Sequence, residues 1–206
     1  HQRVRVENEL KVTLERVQRT FDSMVRALSS VLAKRDPYTA DHQQRVTELS
    51  CLIARELELP QESIDALRFA CLLHDIGKIG ITAEILNKPT KLEKLEMNLV
   101  KTHSQVGFEI LKQVDFSWPV AEIVLQHHER INGSGYPKGL KDKEILYEAK
   151  ILGVADVVEA MSSHRPYRPA FEIQQAMEEL QQHKGELYDA LIVETCIKIL
   201  NEKKLI

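Results

Sequence analysis

Apolar residues recur at steps of three and four along most of this 206-residue chain, the spacing that places them on one face of an α-helix. Between residues 41 and 57, for example, they stand at Val46, Leu49, Ile53 and Leu57. No segment shows a convincing alternation of apolar and polar residues, which is typical of a half-buried β-strand. Because glycine and proline are also few, the sequence predicts an all-α fold built as a bundle of helices.

Six further helical segments are expected after the first. Pro60 stands where a first-turn proline belongs, and the apolar spacing continues from there to His74. A helix over 92–114 is expected to break near His103. The remaining segments are 119–128, with Ser117 as its expected cap, then 144–161, 171–183, with Gly185 as its expected stop, and 188–200.

The first 34 residues carry a heptad stripe and predict a long N-terminal signalling or linker helix, distinct from a domain over 35–206. Pro37 ends this stretch. Two interpretations stay open: a coiled coil that joins the domain to an upstream sensor and forms a homodimer, or a first helix packed on its own domain. The stripe consists of Leu10, Leu14, Val17, Phe21, Met24, Leu28 and Val31.

Composition narrows the classes of function. A hydrophobic content of 43% is enough for a core, and a net charge of -3 argues against a general binder of nucleic-acid polymers, although a local basic pocket for a small anion is compatible with it. The three cysteines are scattered and form no CxxC pair, which favours buried thiols in the reducing cytoplasm. No run of about 18 apolar residues predicts a membrane span.

Five of the eight histidines stand in otherwise apolar helical contexts, joined there by two aspartates. A single such histidine is more often a hydrogen-bonded core residue, but burying several ionisable groups is costly unless a cation relieves it. Imidazole and carboxylate ligands together suit iron, manganese, zinc or nickel better than calcium or magnesium. The candidates are His42, His74, His103, His127 and His128, with Asp75 and Asp156.

The segment 71–78 shows how two of these ligands reach one site. An apolar helix ends at His74-Asp75, where the backbone can turn both side chains to the same place, and Gly77 permits a change of direction. Aspartate has two oxygens and can bridge two ions. His127-His128 repeats the arrangement at the end of another helix.

Two strings of residues resemble the name-giving motifs of HD-GYP domains. One is His74-Asp75-Ile-Gly-Lys78, and the other is His127-His128-Glu-Arg-Ile-Asn-Gly-Ser-Gly135-Tyr136-Pro137-Lys-Gly-Leu140. The likeness extends from Tyr38 to Arg168. It implies an HD-type helical bundle and a cytoplasmic, metal-dependent hydrolase of the HD superfamily.

The resemblance also implies a role for each ligand. His42, His74, Asp75 and Asp156 would surround one metal, and Asp75 would bridge to a second metal held by His103, His127 and His128. Some relatives have a glutamate for a third metal where this chain has Tyr38. We therefore expect two divalent transition-metal ions, iron or manganese before zinc or nickel.

The implied substrate is cyclic di-GMP, opened to linear pGpG by a water that the two metals activate, and the end product stays open between pGpG and GMP. Asp75 and Lys78 are the implied catalytic residues, with Lys78 on a phosphate oxygen, and Arg165 and Arg168 would clamp a phosphate. Tyr136 either contacts substrate or serves to pack its loop. Glu159 and His164 replace aspartates common in the family.

Two other functions stay open at this point. One is a slow or inactive module that binds cyclic di-GMP or docks a protein partner. The other is a phosphohydrolase for a different cyclic dinucleotide or for a nucleoside triphosphate. The presence of all seven implied ligands favours an active enzyme.

Overall fold

The computed structural model describes residues 39–164 and 170–203, and before them positions 9–13, 16–17, 19–20, 23–25, 27–28 and 30. Its main helices are α1 (Thr39–Glu56), α2 (Gln61–Leu73), α3 (Ala83–Leu86), α4 (Lys94–Lys101), α5 (His103–Leu111), α6 (Val120–Gln126), α7 (Tyr147–Ser162), α8 (Ile173–Gln182) and α9 (Ala190–Lys203). Short 3-10 helices cover Ile76–Gly80 and Asp142–Glu144. No strand occurs among the described residues, which confirms the all-α prediction.

The predicted segment boundaries agree closely with eight of these helices, including the break at Thr102 between α4 and α5, but α3 was not predicted. The predicted Ser117 cap is wrong. Pro119 occupies the N-cap of α6 and provides no side-chain hydrogen bond, and the Val120 N–H donates to the Trp118 carbonyl at 2.8 Å instead. Gly185 follows α8 with φ of 77°, in the left-handed region where glycine is favoured.

The core lies around α2, which packs on α1, α6 and α7. Leu67, Ala70 and Cys71 of α2 are fully buried, as are Ile53 of α1 and Ile151 of α7. Each large apolar side chain removed from water contributes about 1.5–3 kcal/mol. The 3-10 helix at 76–80 packs on α5, and α5 packs on α6, so the helix ends that carry the predicted ligands meet beside this core.

The described positions between 9 and 30 are helical, but they do not form one continuous described element, and the predicted long N-terminal helix stays a prediction. Leu14, Phe21 and Val31 of the heptad stripe lie outside the described residues. Its other members are 52–68% exposed: Leu10, Val17, Met24 and Leu28. The described part of this chain therefore leaves them largely uncovered. The proposed boundary at residue 34 stays a prediction as well. Among the described residues, no helix combines the length and the hydrophobicity needed to cross a bilayer.

Candidate metal centre

Five structural elements deliver the seven predicted ligands to one place. His42 lies in the first turn of α1, His74 and Asp75 directly follow α2, and His103 is the first residue of α5. His127 and His128 follow the end of α6, and Asp156 lies in α7. Six of the seven are buried, and His128 is partly buried. Residues far apart in sequence therefore converge, as the sequence predicts.

Their donor atoms form two sets. In the first set, His42 Nε2 lies 3.3 Å from His74 Nε2 and 3.2 Å from Asp156 Oδ1. The second set comprises His103, His127 and His128, and His103 Nε2 lies 3.3 Å from His127 Nε2. Within each set, one ligand atom of every residue lies within 4.8 Å of the others, so three donors can reach a single cation.

Asp75 lies between the two sets. Its Oδ2 is 3.5 Å from His74 Nε2, and its Oδ1 is 3.7 Å from His103 Nε2. Each carboxylate oxygen thus faces one set, which is the arrangement that a bridging ligand requires.

Three of the histidine rings are oriented by the backbone of the preceding helical turn. Nδ1 of His74, His103 and His127 donates to the carbonyl three residues earlier, at 2.7, 2.7 and 2.5 Å respectively. Because Nδ1 carries the proton in these contacts, Nε2 is left with its lone pair facing the site.

His42 is held differently. Its Nδ1 contacts Oε2 of Glu159, a side chain that is 1% exposed. The other oxygen of Glu159 accepts from Arg45 Nε at 2.8 Å and from the Ser163 hydroxyl at 2.5 Å. Glu159, one of the two residues that replace an aspartate common in HD-GYP domains, therefore contacts a predicted ligand. The other replacement, His164, is exposed.

The protonation states fit metal binding. Burial, reinforced by His74, lowers the pKa of His127 to about 3, and burial also lowers the pKa values of His103 and His128. Burial opposes the charge on His42 as well, but Asp156 and Glu159 outweigh it and raise its pKa to about 9.

Both aspartates stay ionised. Burial disfavours the charge on Asp75, but Lys78 and the neighbouring histidines outweigh burial and hold its pKa well below the usual range. For Asp156 the hydrogen bond with His42 has the same effect against burial. The site thus offers ionised carboxylates and three imidazoles that burial keeps neutral, and a cation would displace the proton of His42. This donor chemistry fits divalent transition metals.

The HD domain family model matches residues 26–192 of this chain. The chain belongs to the HD domain family. Its two motifs assign it to the HD-GYP branch, and HD-domain phosphohydrolases depend on divalent metals.

Among similar proteins, the cyclic di-GMP phosphodiesterase of Thermotoga maritima is 42% identical over 172 residues, covering 82% of this chain and 46% of that protein. The 3'3'-cGAMP-specific phosphodiesterase 3 of Vibrio cholerae is 35% identical, covering 88% of this chain and 39% of the relative. The chain spans about half the length, or less, of these curated relatives. A solved HD-GYP protein, Bd1817 of Bdellovibrio bacteriovorus, aligns with a TM-score of 0.65 at 23% identity over 79% of this chain and 54% of its own, which shows the shared fold.

The predicted substrate contacts of this HD-GYP domain are only partly described. Lys78 Nζ donates to Asp75 Oδ2 at 2.8 Å, so its charge lies directly beside the carboxylate that is predicted to bridge the two metals. Tyr136 stacks on His128 with ring centroids 4.7 Å apart, and Lys101 Nζ lies 5.1 Å from the Tyr136 centroid. Burial raises the pKa of Tyr136, so its hydroxyl stays protonated. Arg165 and Arg168 lie outside the described residues.

A buried glutamate holds the loop of the GYP motif in place. The two oxygens of Glu129 accept the backbone N–H of Lys138 at 2.7 Å and of Leu140 at 2.9 Å. At Gly135 a Cβ atom would lie 2.4 Å from the Arg130 nitrogen and from the Glu129 Cα. This glycine therefore permits close approach of the chain to itself, and the loop brings Tyr136 over His128.

Gly77 is required for a related reason. A Cβ atom there would lie 1.9 Å from the carbonyl oxygen of His103 and 2.6 Å from the Gly107 nitrogen. The sequence suggests a change of direction at this glycine, whereas the structure shows that it lets the 3-10 helix lie against α5. This contact fixes the distance between the halves of the site that carry Asp75 and His103.

Proposed function

We propose that this HD-GYP domain is the output domain of a bacterial signalling protein, a phosphodiesterase that hydrolyses cyclic di-GMP to pGpG and on to GMP. The observation that carries the proposal is the pair of three-donor sets with one oxygen of Asp75 facing each. A shared carboxylate between two histidine-rich sets suits a binuclear centre, and we assign iron or manganese to it before zinc or nickel.

The two ligand sets and Lys78 indicate how a binuclear centre would hydrolyse a phosphodiester. Divalent cations held by the two sets would supply an activated water and would neutralise charge that develops on the phosphate oxygens. The water oxygen forms a new bond to phosphorus, the bond to the 3′ oxygen breaks, and a proton passes to that leaving oxygen. Lys78 holds a positive charge beside Asp75, where it would contact a non-bridging phosphate oxygen and help to orient the substrate.

The names of the relatives support this class of substrate and leave two candidates within it. The Thermotoga relative is named for cyclic di-GMP, and the Vibrio relative is named for 3'3'-cGAMP. The greater identity to the former favours cyclic di-GMP, and 3'3'-cGAMP is the second candidate.

The test is turnover by protein purified without oxygen, with its metal content measured on the same sample. We expect metal-dependent hydrolysis of cyclic di-GMP, lost with His74→Ala or Asp75→Ala, and slower hydrolysis of 3'3'-cGAMP and cyclic di-AMP. Binding of cyclic di-GMP without turnover by fully loaded protein would instead favour a binding or docking module. Preference for another nucleotide would refute the proposed substrate.

Lys78 offers a sharper test of the site. Lys78→Ala should reduce kcat/KM for cyclic di-GMP by about 10-fold or more while leaving the metal content close to that of the wild type, because its charge contacts substrate. Lys143→Ala, which removes an exposed lysine, should change neither. An equal loss of metal and activity in Lys78→Ala would contradict a phosphate contact.

The exposed part of the heptad stripe supports two further assignments. A second copy of the chain would cover Leu10, Val17, Met24 and Leu28 in a coiled coil that also connects to an upstream sensor. Sedimentation of the chain with Val17→Glu and Met24→Glu, compared with wild type, tests the homodimer.

The three free, buried cysteines are consistent with a reducing cytoplasm.

A further inference from the structure

We propose that Glu159 is a positioning residue that holds the imidazole of His42 with Nε2 directed at the first set. This role rests on the proposed function, since it concerns how the first set binds its cation. Glu159 acts on the metal only through His42 and does not itself belong to either three-donor set.

The need for such a residue follows from the position of His42. The rings of His74, His103 and His127 are each fixed by the carbonyl three residues earlier in the chain. His42 instead turns Nδ1 to a carboxylate 117 residues away in sequence. The orientation of this one ring therefore depends on tertiary structure, and its partner carries a full negative charge.

Glu159 is itself fixed. Its Oε1 accepts two hydrogen bonds from the Arg45 guanidinium, at 2.8 and 2.5 Å, and one from Ser163 at 2.5 Å. These donors compensate the buried charge, and they restrict the carboxylate to the orientation in which Oε2 faces His42. Arg45 also lies one turn after His42 on α1, so the same helix carries both the ligand and the clamp.

A carboxylate on the outer nitrogen of a ligating histidine fixes the ring and increases its basicity, and removing such a partner costs about 10- to 100-fold in metal affinity or activity. The second set has no carboxylate among its three members. The first set, with Asp156 as a ligand and Glu159 behind His42, should therefore bind the tighter of two cations.

The experiment is a stepwise titration of metal-free protein with Co²⁺, followed by visible absorption and by competition with a chromophoric chelator. In Glu159→Gln we expect the tighter step to weaken by about 10- to 100-fold and its absorption band to change, with the weaker step close to wild type. Glu159→Asp should fall between, because it keeps the charge on a shorter side chain. Glu178→Gln, an exposed change of the same charge, is the matched control.

A merely structural role predicts a different pattern. In that case Glu159→Gln would lower the melting temperature of the metal-free protein and weaken both binding steps together. That result would overturn the proposal, and so would Co²⁺ binding by Glu159→Gln that equals wild type. If Glu159→Gln does not fold, Arg45→Met tests the same clamp with the carboxylate intact, and unchanged binding there and in Glu159→Asp would also refute the role. Absence of Co²⁺ binding by the wild-type protein would refute the proposed function itself.

Discussion

Substitution of Gly77 by alanine should separate the two halves of the metal centre. The added Cβ atom would lie 1.9 Å from the His103 carbonyl oxygen, about 1.5 Å short of the 3.4 Å at which ordinary contact begins. The obstacles are backbone atoms of α5, which no rotamer change can move. Overpacking of a core typically costs about 1–3 kcal/mol and occasionally more, so we expect a loss of about 3 kcal/mol or more in the free energy of unfolding.

Gly80→Ala is the matched control because it lies at the end of the same 3-10 helix. Its added Cβ atom would meet its nearest neighbour, a side-chain carbon of Val106, at 3.9 Å. A glycine-to-alanine change without strain stabilises by about 0.4–1 kcal/mol through the unfolded state. Urea unfolding of both metal-free variants measures the difference. Free energies of unfolding within about 1 kcal/mol of each other would refute the close-approach argument, and so would a Gly77→Ala variant that binds Co²⁺ like the wild type.

Two further predictions concern groups outside the seven ligands. Glu129→Gln should cost about 1.5–3 kcal/mol, because one of the two charge-assisted bonds to the N–H groups of Lys138 and Leu140 is lost. Hydrogen exchange would then be faster at these amides, and unchanged exchange there would contradict the clamp. Burial raises the pKa of Cys196 to about 12, so the thiol stays protonated near neutral pH. A thiol reagent should therefore modify it only after unfolding, and rapid reaction of the native protein at Cys196 would show that it is exposed.

The helices could be predicted because their signal is local. Apolar spacing indicates burial turn by turn, and the predicted break near His103 and the predicted helix end near His74 lie next to the observed break at Thr102 and the observed end of α2 at Leu73. The cap of α6 was wrong for a related reason: Ser117 has the right chemistry for a cap, but Trp118 and Pro119 close the turn with backbone groups.

The sequence predicts which residues form the site, but not which of their side chains contact other residues. Seven ionisable side chains in apolar surroundings indicated a common cation, and the structure brings them together. The partnership of His42 with Glu159 joins residues 117 apart, and no local pattern records such a distance. One signal was available: Glu159 stands three residues after Asp156 in an apolar helix, so both share a face.

The histidines also differ in when their geometry can be set during folding. For His74 and His127, the carbonyl that aligns the ring lies in the last turn of the helix before it, and for His103 it lies in the last turn of α4. Each ring can therefore adopt this orientation as soon as that local segment forms. The orientation of the His42 ring can be set only after α1 and α7 have packed together and Arg45 has bound Glu159. A nascent chain would thus orient three imidazoles early in folding. The last ligand, His42, would be oriented only once the helices of the bundle have packed together.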